Sequence, residues 1–310
     1  MLRAPAICGA DGRADPDAPD WSRDGKDWPN AAASRFVEAG GIRWHVQVAG
    51  DGPVLLLVHG TGAATHSWRD LLPLLTPHFT VIAPDLPGHG FSQRLRRRSV
   101  TVEGIGEALG ALLVQLDMQP EIALGHSAGA AILAAMAIDS RIEPRLLVSV
   151  NGALMPFQGL AGFTFSPVAR LLSATSLAPR LFAWGAADPA AVRRLIERMG
   201  SQIDREGLVL YTRLLRRSGH VAGAVDMMAG WDLERLARAL PSLKPKLVLV
   251  AGSRDTAVPP RDAERIRERV PGSELEKLDG LGHLAHEERP DAVAGIVLRH
   301  ARIGDAGGGG

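Results

Sequence analysis

Residues 122–129 read Ile-Ala-Leu-Gly-His-Ser-Ala-Gly, and this stretch decides the fold. The apolar residues 122–124 predict a buried strand, and the small residues 130–138 predict a helix that packs closely on a sheet. Between them lies a G-x-S-x-G turn centred on Ser127. Gly125 and Gly129 suit a tight turn in which a side chain would collide with its neighbours. This strand–turn–helix context is the one that lifts a nucleophilic serine hydroxyl above a sheet.

Strand and helix patterns alternate on both sides of this motif. Apolar or alternating runs predict strands at residues 42–48, 54–58, 81–83, 146–150, 246–250 and 274–278. Helical spacing of apolar residues occurs at 102–116, 261–270 and 292–300. Because repeated βα units form parallel sheets, we expect an α/β fold with a mostly parallel central sheet and helices on both faces.

A long segment without strand patterns interrupts this alternation. Residues 152–240 show only helical spacing, near 168–172, 190–199 and 208–216. A structureless loop of that length is improbable in a compact domain, so the segment predicts a helical cap inserted into the sheet domain. The chain then divides into an irregular N-terminal lead-in (1–32), an α/β core in two parts (33–151 and 241–303), the helical cap (152–240) and a flexible Gly-rich tail (304–310).

A serine nucleophile needs a base, and the base needs an acid that orients it. The predicted strand 246–250 leads into Ala-Gly-Ser-Arg-Asp, which ends at Asp255, and the strand 274–278 leads into Asp-Gly-Leu-Gly-His, which ends at His283. Loops that follow parallel strands share one edge of the sheet. We therefore expect Ser127, Asp255 and His283 to converge as nucleophile, acid and base.

Other residues compete for two of these roles. His286 lies three residues after His283, but we expect it to begin the following helix. Asp279 is a rival acid, yet it is too close to His283 in sequence to approach the ring from the far side. The position after the strand 146–150, where some hydrolases carry the acid, holds the uncharged Asn151. Asp255 and His283 remain the preferred pair.

A third motif, His59-Gly60-Thr61-Gly62, follows the buried strand 54–58. An oxyanion hole needs two backbone N–H groups, one from the residue after the nucleophile and one from this early loop. Ala128 and Thr61 are therefore the candidates, although neither role requires a particular side chain. We expect His59 to be a packing residue and the loop 84–90 to be structural.

The composition narrows the function classes. The chain has 35 Lys and Arg against 34 Asp and Glu, a net charge of +1, which makes nucleic acid a poor candidate partner. Cys8 is the single cysteine and no Cys/His spacing suits a metal, so we expect a reducing compartment and no metal site. No apolar run reaches about 18 residues, and residues 1–20 do not resemble a signal peptide. We expect a cytoplasmic protein.

In their order, these motifs resemble those of the α/β-hydrolase superfamily over about residues 35–300. They read H-G-x-G, D-L-P-G-H-G-x-S, G-H-S-A-G, G-x-x-D-x-x-V-P and G-H-x-x-H-E-x-x-P. Within the superfamily, the chain is similar to the magnesium chelatase accessory proteins of bacteriochlorophyll biosynthesis, at residues 27–30, 41–47, 59–68, 151–154 and 280–290. This resemblance implies a role near magnesium insertion into protoporphyrin IX in photosynthesis, with magnesium chelatase subunits as partners, at the periphery of photosynthetic membranes.

Two function classes lead. The first is a serine hydrolase that acts without a cofactor on an ester or thioester, with an apolar acyl or tetrapyrrole-like substrate. The second is a non-catalytic porphyrin-binding accessory or carrier protein on the same scaffold. A peripheral membrane module would use the basic cluster Arg94, Arg96, Arg97 and Arg98, but a solvated loop is favoured there. Dehalogenases and epoxide hydrolases of similar scaffold are disfavoured, because both carry aspartate at the position of Ser127.

The predicted cap also indicates the kind of pocket. Residues 155–184 contain four of the seven Phe and only two charged residues, Arg170 and Arg180. Pockets for sizeable organic ligands are mostly apolar, so we expect an apolar, cap-covered pocket over Ser127. Its candidate lining residues are Phe157, Phe163, Phe165 and Trp184.

Overall fold

The computed structural model of the chain describes residues 17–156, 177–186 and 188–302. The strands in these ranges are β1 Ser34–Ala39, β2 Ile42–Ala49, β3 Val54–Val58, β4 Thr80–Pro84, β5 Ile122–His126, β6 Leu146–Val150, β7 Lys246–Gly252 and β8 Glu274–Leu278. They form one eight-stranded sheet in the order β1-β2-β4-β3-β5-β6-β7-β8.

The sheet is mostly parallel, which confirms the predicted fold class. Only β1, β2 and β4 pair antiparallel, and β4, β3, β5, β6, β7 and β8 run parallel to one another. No sequence pattern predicts β1, which forms by pairing along its whole length with β2, with Phe36 opposite His45. The site-bearing loops therefore follow strands that share one direction.

The α-helices surround this sheet. In the described part of the chain they are α1 Trp21–Asp24, α2 Leu72–Leu75, α3 Val102–Leu116, α4 Ala128–Ile138, α5 Leu177–Gly185, α6 Pro189–Arg198, α7 Arg205–Leu215, α8 Ser218–Ala229, α9 Glu234–Ala239, α10 Pro260–Arg269, α11 Ala285–Glu288 and α12 Pro290–Arg302. Short 3₁₀ helices occur at Ala31–Ala33, Thr65–Trp68, Arg97–Ser99 and Leu240–Ser242.

Helices cover both faces of the sheet, so the central strands are buried on both sides. In β3, Leu56 and Val58 enter a core that contains residues of α3, α4 and α10. Leu55 and Leu57 point the other way, into a core that contains residues of α2 and α12. This two-sided burial explains why β3 is an unbroken apolar run rather than an alternating one.

Local capping sets the ends of α3, whose bounds match the prediction. The Thr101 hydroxyl accepts the Gly104 N–H at 3.1 Å, which satisfies one of the free donors at the start of a helix. At the other end, Asp117 adopts a left-handed backbone with φ of 55°, which stops the helix.

Helices α5 to α9 lie between β6 and β7, and the described residues of this stretch contain no strand. The bounds of α6 and α7 agree closely with two of the predicted helices, while the predicted helix near 168–172 lies outside the described residues. His220 of α8 bonds to the loops that follow β3 and β4. Its Nδ1 accepts the Gly90 N–H at 3.1 Å, and its Nε2 donates to the Gly62 carbonyl at 3.0 Å.

The N-terminal segment packs against the sheet domain through two tryptophans. Trp28 is buried, and its indole N–H donates to the Thr65 hydroxyl at 2.9 Å. Trp21 of α1 lies against the rings of His45 and Phe91, each with a ring-centroid distance of 4.9 Å. Residues 17–33 are therefore anchored to the body of the protein.

Candidate active site

Ser127 lies in a sharp turn between β5, which ends at His126, and α4, which begins at Ala128. Its backbone has φ of 51° and ψ of −118°, a conformation that costs of order 1–3 kcal/mol for a residue with a side chain. A Cβ at Gly129 would collide with the carbonyl oxygen of Val58 on the neighbouring strand β3. The motif glycine is thus required because the new helix starts in contact with the sheet.

His283 and Asp255 converge on this serine from two other loops. The Nε2 atom of His283 lies 3.1 Å from the Ser127 hydroxyl oxygen, and its Nδ1 lies 2.8 Å from an Asp255 carboxylate oxygen. The other oxygen of Asp255 accepts the N–H groups of Ala257 and Val258 at 2.8 and 2.9 Å. The acid is buried and held on both oxygens, while Ser127 retains partial exposure.

Asn151 joins the acid loop to the base loop, a role that the sequence reasoning missed. It follows β6 directly, and its side-chain oxygen accepts the Gly252 N–H at 2.8 Å. Its side-chain N–H₂ donates to the carbonyls of Gly282 and His283 at 2.9 and 2.8 Å. In the sequence, the uncharged side chain of Asn151 indicated only that this position does not supply the acid. Its amide provides both a hydrogen-bond donor and an acceptor, which an ionised carboxylate does not.

The loop after β3 passes directly beside the serine. A Cβ at Gly60 would lie 3.0 Å from the Ser127 Cβ and 2.9 Å from Nδ1 of His126. Thr61 follows in this loop, and Ala128 provides the first residue of α4, whose N-terminal N–H groups carry partial positive charge. The two candidate oxyanion donors thus come from segments that both border Ser127.

The sequence profile of the family described as alpha/beta hydrolase fold matches residues 53–290. The chain belongs to this family.

Two similar proteins have different names, one a magnesium-chelatase subunit and the other a deacetylase. The chain is 39% identical over 273 residues to the magnesium-chelatase 30 kDa subunit of Rhodobacter capsulatus, across 87% of this chain and 95% of that protein. It is 27% identical over 279 residues to pyrrolizixenacetamide deacetylase of Xenorhabdus hominickii, across 85% and 96% of the two chains.

A solved structure agrees on the fold. The alpha/beta hydrolase fold protein from Burkholderia ambifaria superimposes with a TM-score of 0.74 at 24% identity, and the match covers 86% of this chain and 97% of that one. At this identity the likeness shows the hydrolase fold alone.

Within this hydrolase fold, His286 faces Ser67, and its ring lies 4.3 Å from that of His126. It belongs to α11, is almost completely buried, and its Nε2 lies 2.7 Å from the Ser67 hydroxyl. Burial, together with the nearby charges, lowers its pKa well below the usual value for histidine. The rival acid Asp279 follows β8 directly and is exposed.

His59 and the loop after β4 make structural hydrogen bonds. The Nδ1 of His59 donates to the Gly60 carbonyl at 2.8 Å, and its Nε2 accepts the Leu86 N–H at 2.9 Å. Burial lowers the pKa of His59, so the ring is a neutral link between two loops. Asp85 is fully buried and accepts from His45, at 2.7 Å, and from the Thr65 and Phe91 N–H groups.

Of the four predicted pocket residues, the structure describes Trp184. Phe157, Phe163 and Phe165 lie outside the described residues. Trp184 of α5 is 80% exposed and lines a surface cavity with Arg180 and Arg216. An apolar pocket over Ser127 therefore stays a prediction.

Two further features concern charge and membranes. In the basic cluster after β4, Arg94 and Arg97 both pair with Asp226 of α8, which neutralises part of its charge. No helix among the described residues is long and apolar enough to cross a membrane. Within those same ranges, no group of three or more His, Cys, Asp or Glu is arranged to hold a metal ion.

Proposed function

We propose that the protein is a serine hydrolase of the ester or thioester class. The observation that carries this proposal is one continuous chain of short contacts: the Ser127 hydroxyl 3.1 Å from His283, and His283 2.8 Å from Asp255. Because Asp255 accepts from Nδ1–H, the Nε2 atom that faces the serine is left as the acceptor. This is the protonation state that a general base requires.

In the first half of the reaction, the Ser127 oxygen attacks the substrate carbonyl carbon while its proton passes to Nε2 of His283. The negative charge on the carbonyl oxygen is stabilised by the N–H groups of Thr61 and Ala128. Collapse of this tetrahedral species breaks the ester or thioester bond. His283 returns the proton to the departing alcohol or thiol, and the acyl group stays on Ser127.

In the second half, water takes the place of the alcohol or thiol. His283 removes a proton from the water, whose oxygen attacks the acyl carbonyl. The bond to the Ser127 oxygen breaks, and His283 returns the proton to it. The product is a carboxylic acid, and no metal or organic cofactor takes part. Asp255 holds the ring throughout and stabilises its positive charge between the two proton transfers.

Residues 152–240 act as the cap in this proposal. Support comes from a small apolar cluster in which Ala183 and Ala186 at the α5 end, Val192 of α6 and Leu208 of α7 pack with Leu284, the neighbour of His283. The same cluster contains Ala63, just after the oxyanion loop. An apolar substrate, acyl or tetrapyrrole-like, fits a site enclosed by such helices.

The physiological role that we propose is accessory to magnesium insertion in bacteriochlorophyll biosynthesis. Its support is the 39% identity to a magnesium-chelatase subunit, which extends over 95% of that protein. Chelatase subunits are accordingly the proposed protein partners, and an ester or thioester of a tetrapyrrole or of an acyl group is the proposed substrate.

Active-site labelling tests the hydrolase directly. A fluorophosphonate should label the intact chain and should fail to label Ser127→Ala. Ser67→Ala is the matched control, because Ser67 also contacts a histidine but is sealed from solvent, and it should label like the intact chain. Turnover of an ester probe should fall by roughly 10³-fold or more in Ser127→Ala. Full labelling or full turnover in that variant would disprove the proposal.

A non-catalytic porphyrin-binding role is the second candidate, and the same relationship to a chelatase subunit favours it. Ser127→Ala separates the two roles in a strain that makes bacteriochlorophyll. If the variant chain supports pigment synthesis as well as the intact chain, the protein acts by binding. If synthesis fails although the variant folds and accumulates, the hydrolase is required.

A further inference from the structure

Helix α5 turns an apolar face toward solvent. Leu181 is 68% exposed, Phe182 48% and Trp184 80%, and these side chains lie within one turn of each other. The helix contains a single charged residue, Arg180, and no acid. Large apolar side chains concentrated on one exposed helix face mark a surface that binds something, whereas scattered ones need no explanation.

The opposite face of α5 is packed on the protein. Ala183, and Ala186 just beyond the helix end, belong to the same buried cluster as Ala63 and Leu284. The helix packs mainly against α8. Its exposed apolar side chains lie on the face turned away from these contacts.

Arginines border this face on both sides. One cavity, of about 340 Å³, has a mostly apolar lining that includes Phe182, Val192 and Leu195, and its charged residues are Arg194 and Arg198 of α6. Arg194 also lies 3.6 Å from Asp188, and both side chains are exposed.

The cavity on the other side of α5, of about 530 Å³, has a lining that includes Trp184, Arg180, Arg216, Arg217 and Asp17. Arg180 lies 3.5 Å from Asp17, and Arg217 pairs with Asp24 at 2.5 Å. Taken together, five arginines around the two cavities face three aspartates, so the border of the apolar face is positively charged.

We propose that the α5 face, defined by Leu181, Phe182 and Trp184 with the flanking arginine cavities, docks on the surface of an anionic lipid bilayer. Trp184 and Leu181 enter the boundary between headgroups and acyl chains, where tryptophan is favoured. Lipid phosphates bind the arginines of the two cavities, and acyl chains cover the apolar lining of the cavity beside Phe182.

The shape and charge of this surface favour lipid over a protein partner. The apolar face of α5 lies between a mostly apolar cavity that carries Arg194 and Arg198 and a polar cavity that carries Arg180, Arg216 and Arg217. Acyl chains can therefore cover the apolar surfaces while lipid phosphates bind the arginines. A rigid protein partner would need a complementary groove with an acid on each side. The surface is distinct from the cluster at Arg94–Arg98, where Asp226 already pairs with two arginines. It does not rest on the hydrolase proposal.

Vesicle sedimentation with the full chain tests this inference. The intact chain should sediment with vesicles of equimolar phosphatidylglycerol and phosphatidylcholine, and should stay in solution with phosphatidylcholine alone. The double variant Leu181→Ser with Trp184→Ser should lower the partition coefficient by about tenfold or more, because two apolar side chains are lost. Arg180→Glu with Arg216→Glu should lower it by a similar factor.

Matched controls come from equally exposed residues elsewhere. Val114 of α3 is 73% exposed, and Val114→Ser should bind vesicles as the intact chain does. Arg238 and Arg299, 74% and 59% exposed, provide the charge control when both are changed to Glu. Ser127→Ala should bind fully, so loss of membrane binding and loss of hydrolase activity are separate results.

Quenching by brominated lipid identifies the residue that inserts. The chain has six Trp, and quenching by bromolipid vesicles should disappear in Trp184→Phe. Three results would overturn the inference: no sedimentation with anionic vesicles, equal losses in the control variants, or arginine dependence without any dependence on Leu181 and Trp184. A fourth result would also overturn it: without lipid, the intact chain is a dimer and the Leu181→Ser, Trp184→Ser variant is a monomer. A second copy of the chain would then cover the face.

Discussion

His283 and His286 lie three residues apart, and each faces a serine, but the surroundings of the two pairs differ. His283 faces Ser127, with an Nε2–oxygen distance of 3.1 Å, and His286 faces Ser67, with a distance of 2.7 Å. By distance alone, the second pair is the tighter one. The contacts behind each pair decide what it can do.

The carboxylates lie on different sides of the two pairs. Asp255 accepts from Nδ1 of His283, so Nε2 is free to accept the Ser127 proton. Glu287 instead accepts directly from the Ser67 hydroxyl at 2.7 Å, so the imidazole of His286 must donate to that serine. Ser67 is also 2% exposed. A short contact between serine and histidine therefore identifies a nucleophile only when the carboxylate lies behind the histidine and the serine is accessible.

The largest expected effect on turnover comes from replacing His283 by glutamine, compared with the same replacement at His286. His283→Gln should lower turnover of an ester probe by roughly 10⁴-fold or more, because the base is lost. His286→Gln should retain most of the turnover, since its ring contacts Ser67 rather than Ser127. Steady-state kinetics on both variants, with circular dichroism to check folding, measures this. An inactive His286→Gln beside an active His283→Gln would reverse the assignment.

The acid should follow closely in size. Asp255→Asn keeps the shape but offers Nδ1 an amide in place of a carboxylate, and turnover should fall by roughly 10³- to 10⁴-fold. Asp279→Asn is the control, because Asp279 is exposed at the end of β8 and should be neutral. The ratio of kcat values for the two variants reports the difference. Equal kcat values for the two variants would contradict the assignment of Asp255 as the acid.

The buried residues around Ser67 and His286 should affect the free energy of unfolding rather than turnover. Arg69 donates to Glu287 at 2.6 Å, and both side chains are buried. Glu287→Leu leaves Arg69 only its exposed partners Asp70 and Asp204. It also removes the buried acceptor of Ser67 and Tyr211, so it should lower the free energy of unfolding by about 3 kcal/mol or more. Asp27→Asn, which breaks the exposed pair of Asp27 and Arg213, should cost less than about 1 kcal/mol. Urea unfolding measures both, and a stable Glu287→Leu would contradict this account.

The smallest effect concerns pH. Burial lowers the pKa of His220 to about 4, and it lowers that of His286 well below the usual 6.5. A folded pKa below the unfolded one means that stability is complete above about pH 6.5 and is lost as pH falls toward the folded pKa. Each such histidine adds up to about 1.4 kcal/mol per pH unit to the fall. Unfolding between pH 7 and 5 should be less pH-dependent in His286→Gln, and an unchanged slope would contradict this.

The sequence by itself determined the fold class and most element bounds. Strands buried on both faces favour apolar runs, and β3 begins and ends where its unbroken run does. The elbow was also readable, because Gly125 and Gly129 flank Ser127 between a predicted strand and a predicted helix. The positions of Asp255 and His283 followed from the rule that loops after parallel strands meet at one sheet edge.

Only the tertiary structure decided which groups touch. β1 has no apolar pattern of its own and exists because β2 offers it a partner. Asn151 could not be recognised as the link between the acid and base loops, since its partners at Gly252 and His283 are about 100 and 132 residues away along the chain. The same holds for the α5 face, because exposure depends on what packs beside a helix. Local sequence encodes periodicity and turn chemistry, whereas long-range hydrogen bonds and exposure depend on contacts that form only when distant segments meet.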